Sequence, residues 1–358
     1  MGYREKTISK SILDAIFLDK QDPSRGILTR IFVFFSFFHL ALQRFSPSQF
    51  KKLRTESWQL DEEEYKESFR RAARQGQLSP IGDLGYSGST FFTTPNSKYL
   101  IKSIPRKFEH DFFRNILLDP YVAHIRAHPS SLLVRITDLL YAPTSTLGAL
   151  LGFAPSHHII MENVLYGKDA HSGEAYQWET YDLKPADYFY PERDVAGGNL
   201  ASDSTKSKLI DIFGDKVRVS NGERREMLAT LEADTMLLRE VGAVDYSLFL
   251  IRYPQGLKPP QLPSGTDEPW RNGLESTDGQ WVYRAVILDF FWAKSALQAK
   301  AMEALIRGYN LLDLQGPMSI TTSPAEYQKR FMEMVAGIVI SNEAGDGGEI
   351  HGQGSSEQ

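Results

Sequence analysis

Lys102 closes the run Tyr99-Leu100-Ile101-Lys102, which puts an ammonium inside an apolar strand. Burying such a charge without a partner is costly, and a phosphate would supply the partner. Upstream stand Gly85-Tyr86-Ser87-Gly88-Ser89, then Phe91-Phe92 and a turn at Pro95-Asn96. This order predicts strand, glycine-rich turn, strand, tight turn, strand. Small residues in the first turn let backbone N–H groups approach phosphate oxygens, and the strand lysine reaches the same oxygens from below. An ordinary β-hairpin joined by a Gly-Ser turn fits those residues equally well, so the turn alone decides nothing.

Two carboxylates extend the set. Asp245, in Val244-Asp245-Tyr246-Ser247-Leu248, stands at the entrance to an apolar strand, and Asp289 closes Ala285-Val286-Ile287-Leu288-Asp289 ahead of Phe290-Phe291-Trp292. Either acid alone reads as a structural cap or as a metal ligand. Phosphoryl transfer needs a cation on the phosphates, a carboxylate for Mg²⁺, and a second carboxylate that orients or deprotonates the attacking hydroxyl. The chain carries these three types in that order, with a hinge-like stretch at Met161 to Val164 between the first and the others.

The elements that must position them follow from periodicity. Ile8, Ile12 and Ile16 recur every four residues, so 7–45 reads as helical, and 61–75 is a helix with an acidic first turn and a basic last turn. Strands are predicted at 90–94, 98–104, 132–141, 157–165, 177–183, 246–252 and 281–289. Helices are predicted at 108–128, 222–241, 295–308 and 324–340. Residues 186–207 read as an exposed insertion, and the Gly-, Glu- and Ser-rich tail 342–358 as disordered. The pattern is α+β, with an antiparallel strand-rich half at 1–160 and a mixed half at 161–341.

The 358 residues, 42% hydrophobic and 24% charged, suit a globular protein with ample core. A net charge of -5 gives no global reason to expect a nucleic-acid partner. The chain has no cysteine, which excludes disulfides, thiolate metal sites and a thiol nucleophile, and fits an intracellular protein. The charged start Met1-Gly2-Tyr3-Arg4-Glu5-Lys6 predicts no secretory signal. Ile31 to Leu42 is aromatic and apolar but shorter than the roughly 20 residues a spanning helix needs, so it reads as core helix or interfacial segment. His157-His158 reads as a strand-end or core pair, and Lys51, Lys52 and Arg54 as surface residues that could form a basic face.

The chain resembles the phosphatidylinositol phosphate kinases, as a divergent member, from about residue 45 to 340. The resemblance rests on Phe45-Ser46-Pro47 with Gln49-Phe50, Asp61-Glu62-Glu63-Glu64-Tyr65, the 85–89 turn with Leu100-Ile101-Lys102, and Leu132-Leu133-Val134-Arg135. It continues through Met161-Glu162-Asn163-Val164, Tyr181-Asp182-Leu183-Lys184, Ala233-Asp234-Thr235, Val244 to Leu248, Ile287-Leu288-Asp289 and Pro324-Ala325-Glu326-Tyr327. It implies a two-lobed kinase-like fold of the kind shared with SAICAR synthase, and an ATP- and Mg²⁺-dependent kinase acting on an inositol-ring hydroxyl of a phosphatidylinositol monophosphate. Lys102, Asp245 and Asp289 would be catalytic, with Asp289 on Mg²⁺. Gly85, Ser87, Gly88 and Ser89 would cover the phosphates, and Asn163, Val164, Phe249 and Leu288 would enclose the adenine. Asp111 stands where the family carries a glutamate that pairs with the lysine. Lys184, Lys294 and Lys300 would meet substrate phosphates, although all three also read as solvated charges.

The resemblance further implies a cytoplasmic protein peripheral to anionic membranes, its partner a phosphoinositide lipid, with homodimerisation through the N-terminal lobe. Pro185-Ala186 stands where the family carries Gly-Ser, and fewer lysines follow Asp289 than is usual there. Two other readings stay open on these differences: a catalytically impaired scaffold or binding protein of the same fold, and a soluble inositol-phosphate kinase.

Overall fold

The structure is a computed structural model that describes residues 2–17, 37–81, 89–144, 146–150, 154–168, 178–185, 213–257, 262, 268–295 and 322–341. Its helices are α1 (Tyr3–Phe17), α2 (Pro47–Lys52), α3 (Glu62–Gln75), α4 (Lys107–Phe112), α5 (Leu118–Ala127), α6 (Leu147–Leu150), α7 (Asn221–Glu240), α8 (Pro269–Asn272) and α9 (Pro324–Ile338). A π-type turn, Phe113–Leu117, joins α4 to α5. The expectations at 186–207, 295–308 and 342–358 lie outside the described residues, apart from Ser295 itself.

Strands β1 (Gln43–Arg44), β2 (Ser79–Ile81), β3 (Phe91–Thr93), β4 (Tyr99–Ser103), β5 (Ile136–Tyr141) and β6 (His157–Glu162) form one antiparallel sheet, ordered β1-β5-β6-β4-β3-β2. Its two faces follow the pleat. On one face Phe92, Tyr99, Ile101, Leu140 and Ile160 pack against Ile8, Ile12 and Ile16 of α1 and Phe69 and Ala72 of α3. Lys102, one residue out of phase with Ile101, therefore lies on the opposite face. Helix α3 begins where Asp61 accepts a hydrogen bond from the Glu64 N–H at 2.6 Å and ends at Gly76, whose φ of 81° is left-handed.

The expectation of helix through 7–45 fails at its far end. Helix α1 stops at Phe17, 18–36 lie outside the described residues, and Gln43–Arg44 pairs with β5 instead. The reason is electrostatic. The Arg44 guanidinium reaches the fully buried Asp138 on β5 at 2.7 Å, and Arg54 and the Tyr65 hydroxyl reach the same carboxylate at 3.1 and 3.0 Å. Arg54 is itself completely buried, so it cannot belong to a basic surface face.

The second half contributes β7 (Glu179–Leu183), β8 (Val217–Val219), β9 (Ala243–Val244), β10 (Ser247–Pro254), β11 (Leu274–Glu275), β12 (Trp281–Leu288), β13 (Trp292–Ala293) and β14 (Val339–Ser341). Of these, β11-β12-β10-β7 form a second antiparallel sheet. Helix α7 opens with a capping box between Ser220 and Glu223 and packs against α9. Parallel strands β8 and β14 close this half. Described helices and strands thus make an α+β architecture with two larger antiparallel sheets and two two-stranded ones.

Backbone bonds tie the sheets together. Of residues 132–135, expected to begin β5, the first three turn to the second sheet, while the Arg135 carbonyl still accepts from the Glu162 N–H of β6 at 3.0 Å. Val134 N–H donates to the Ile287 carbonyl at 3.0 Å, and Ile287 N–H donates to the Leu132 carbonyl at 2.7 Å. The Tyr121 hydroxyl fills the break, donating to the Val134 carbonyl and accepting from the Ile136 N–H. Among the described residues, no helix is long and apolar enough to cross a membrane.

His157 and His158 begin β6 and are both buried. His157 stacks on His110 with ring centroids 3.6 Å apart. Burial pushes His158 down to about 3, and neither of its ring nitrogens has a hydrogen-bond partner. Unfolded, this imidazole titrates near 6.5, so the unfolded chain binds the extra proton between those two values and stability falls as pH drops below 6.5. At pH 5 the expected loss from His158 is about 2 kcal/mol. His158→Leu sacrifices no hydrogen bond, so urea titrations at pH 7.5 and pH 5 are expected to differ by about 2 kcal/mol less in the variant than in the parent.

Candidate active site

The site grows from an interruption in one ladder. Strands β10 and β12 pair without a break from Pro254↔Trp281 to Ser247↔Leu288, and pairing resumes at Val244↔Trp292. Between these points Asp245-Tyr246 faces Asp289-Phe290-Phe291, one residue more on the second chain, as in a β-bulge. Aromatic residues anchor the far side. Tyr246 is fully buried against Tyr327 and Phe331, with ring centroids 4.7 and 5.0 Å away. Phe290 is fully buried beside Tyr121, and Phe291 packs on Phe113. Asp245 and Asp289 are left in the left-handed region, with φ of 67° and 61°. Each such residue costs about 1–2 kcal/mol, and Asp tolerates the region better than most.

Both carboxylates line one cleft. Strand β4 supplies Lys102 and Ser103, the residues just before β3 and just after β4 supply Ser89 and Ile104, helix α4 supplies Glu109, and the second half supplies Lys184, Asp245, Asp289, Phe291 and Trp292. The Lys102 ammonium is paired with Asp289 across the cleft, and the Lys184 ammonium stands 3.1 Å from Asp245. Burial alone would depress the Lys102 pKa, but the adjoining Asp289 carboxylate, with Glu109 and Asp182 farther off, more than offsets it and holds the group above its usual value.

Val164, Phe249 and Leu288 meet in a separate apolar cluster with Ile251, Tyr253, Val282 and Val286. The alternation of β10 sets this arrangement. Ser247, Phe249 and Ile251 share one face, while Leu248 and Leu250 enter the main core on the other. The Asn163 side chain donates to the Ser97 carbonyl at 2.8 Å and accepts from the Leu165 N–H at 3.2 Å, so it shapes the turn that carries Val164.

Other expected residues fall elsewhere. Gly85, Ser87, Gly88 and Lys300 lie outside the described residues. Lys294 is half-buried, its N–H donates to the Gly242 carbonyl, and it is not among the described residues lining the cleft. Asp111 pairs with Lys107 and His110, so it is not the partner of Lys102. Glu109 faces the cleft in its place. Helix phase carries this signal: Glu109 lies three and four residues before the buried Phe112 and Phe113, whereas Asp111 lies four after Lys107 on the outer face. Among the described residues no group of three or more acidic or histidine side chains is arranged to hold a metal ion.

Two lysines and two aspartates in the left-handed region thus converge on one cleft of an α+β protein. Residues 72–269, more than half of the chain, match the model of the phosphatidylinositol-4-phosphate 5-kinase family, and the chain belongs to that family. A probable phosphatidylinositol phosphate kinase of Dictyostelium discoideum is 30% identical over 225 residues, covering 62% of this chain and 29% of that protein. A phosphatidylinositol 4-phosphate 5-kinase of Plasmodium falciparum is 32% identical over 187 residues, covering 50% of this chain and 10% of that protein. A phosphatidylinositol 5-phosphate 4-kinase type-2 alpha of Gallus gallus is 24% identical over 220 residues, covering 59% of this chain and 47% of that protein. The chain thus spans less than half the length of these relatives. Asp289 lies beyond the stretch matched by the family model.

Asparagine accepts the left-handed backbone as readily as aspartate, and the Asp289 side chain is 47% exposed. Asp289→Asn is therefore expected to lower the unfolding free energy by no more than about 1 kcal/mol in a urea titration. A much larger loss would make the Lys102 pair a structural staple.

Proposed function

We propose that the protein transfers the γ-phosphoryl group of ATP to an inositol-ring hydroxyl of a phosphatidylinositol monophosphate at a membrane surface. The observation that carries this reading is the meeting of Lys102, Lys184, Asp245 and Asp289 in one cleft of a chain from this family. On this reading the two sheets are the cores of two kinase-type lobes, 1–160 and 161–341, and the cleft is the space between them.

The side chains fit the chemistry. Mg²⁺ favours one or two carboxylate oxygens shared with nucleotide phosphates over a ready-made protein cage, which suits Asp289. Bound there, the ion would neutralise charge on the phosphate oxygens. Lys102 and Lys184 would contact those oxygens, and Gly85, Ser87, Gly88 and Ser89 would offer them backbone N–H groups. Val164, Phe249 and Leu288 would wall the adenine, beside a turn shaped by Asn163. Asp245 would orient the acceptor hydroxyl and take its proton as the oxygen–phosphorus bond forms and ADP departs. Little covalent work remains for the protein, so positioning and charge supply the acceleration.

Lys102 pairs with Asp289, and Glu109 lines the cleft beside them. If Asp289 held the metal, Lys102 would be available to the phosphates, with Glu109 as a further carboxylate near it. Lys294 and Lys300 would then serve the lipid phosphate, and the protein would be cytoplasmic, peripheral to anionic membranes and able to dimerise through its N-terminal lobe.

Radiolabelled ATP supplied with vesicles of each phosphatidylinositol monophosphate tests the activity directly. Labelled bisphosphate is expected from the parent and none above background from Lys102→Ala, Asp245→Asn or Asp289→Asn, with far-ultraviolet circular dichroism unchanged. Parent-like turnover in Asp289→Asn would remove the metal role. Vesicle phosphorylation well above that of water-soluble headgroups is expected, and equal rates would point to a soluble inositol-phosphate kinase. In the same assay Glu109→Gln is expected to slow turnover roughly tenfold, the effect of one charged contact worth 1–2 kcal/mol, while Asp111→Asn stays within about twofold.

A further inference from the structure

Arg284 lies near the middle of β12 on the face shared with Val282, Val286 and Leu288, and is 1% exposed. Burying a guanidinium is expensive unless its hydrogen bonds are met. Here three of them go to backbone carbonyls. Its Nη1 donates to the Val164 carbonyl at 3.3 Å and to the Tyr166 carbonyl at 2.9 Å, and its Nε donates to the Asn272 carbonyl at 3.2 Å. The group also lies over the rings of Trp178 and Tyr253, at 5.3 and 5.6 Å from their centroids. Burial lowers its pKa from the usual value, as a group sealed from water requires.

The turn that Arg284 grips is held from the other side as well. Asn163 N–H donates to the Lys98 carbonyl at 3.0 Å, and the Asn163 amide donates to the Ser97 carbonyl, so the first sheet fixes one end. Just before it, Glu162 accepts from the Arg135 N–H at 3.0 Å and pairs with Arg271 of α8. The Val164 side chain packs in one apolar cluster with Phe249 and Leu288, the residues read above as walls for the adenine. Arg284 therefore ties the turn that carries Val164 to the strand that carries Leu288.

We infer that Arg284 is a positioning residue for the nucleotide: by clamping the carbonyls of Val164 and Tyr166 to the second sheet it sets the width of the adenine slot. This rests on the ATP-dependent reading above. A filler of the core would stabilise the fold and leave nucleotide affinity alone. A positioning residue must alter affinity for one substrate and spare the other.

The full chain is compared with Arg284→Met and Arg284→Lys. Calorimetric titration with MgATP, steady-state kinetics on phosphatidylinositol 4-phosphate vesicles, and thermal melts are the readouts. Arg284→Met is expected to raise the Kd and KM for ATP roughly tenfold, with kcat within about threefold and the lipid KM unchanged, as a sub-ångström displacement of one wall would do. Lysine keeps the cation but cannot span three carbonyls with a fixed fork, so Arg284→Lys is expected between the parent and methionine. If methionine prevents folding, the lysine variant decides the matter. A lower melting temperature with ATP affinity unchanged, or a joint rise in both KM values, would overturn the inference. Absence of MgATP binding by the parent would remove the kinase reading with it, whereas parent binding equalled by both variants would remove only the role of Arg284.

Discussion

Two strands that pair well for eight residues and then cannot continue create the reactive end of this molecule. Beyond Ser247↔Leu288, Tyr246 and Phe290 commit their rings to the core, and the chain has one residue too many to resume the ladder directly. The polar side chains between them have only the opposite direction available. Two carboxylates thus come close together in partly buried surroundings, where like charges raise each other's energy. Lys102 and Lys184 relieve that, Lys102 from β4 of the first sheet and Lys184 from the residue just past β7 of the second. The charge balance of the cleft therefore exists only when both halves of the chain are folded together.

Elsewhere, buried charge serves geometry. Asp138 gathers Arg44, Arg54 and the Tyr65 hydroxyl inside the first half, and Arg135, Glu162, Glu268 and Arg271 form a compact set where the halves meet. Such clusters add little net stability over an apolar core, but leaving one member unpaired is severe. They admit one arrangement of the segments they join. In the second set those segments are the end of β6, the stretch leading into β5, and α8, so a set of charges remote from the cleft fixes the turn beside it.

Much of this was legible because charge in an apolar strand is conspicuous. Lys102, Asp245 and Asp289 stood out for that reason alone, and the strands and long helices followed from their periods. What could not be read was direction in space. Nothing local separates Asp111 from Glu109 until the helix phase is tied to Phe112 and Phe113. Arg54 looked like a surface charge beside Lys51 and Lys52 because its partner Asp138 is remote in sequence. The helical period of α1 suggested continuation, and Gln43–Arg44 became a strand only through pairing with β5. Arg284 gave no signal at all, since its partners are carbonyls, which every residue carries.

The parallel pairing of β8 with β14 has a temporal meaning. Val217–Val219 meets its partner only when Val339–Ser341, near the far end of the described chain, has been made, and the Arg224 guanidinium then donates to the Val339 carbonyl at 2.9 Å. Every strand of the first sheet ends by Glu162, so during synthesis it is made before Val217–Val219, which cannot gain this partner from the chain until Val339–Ser341 follows.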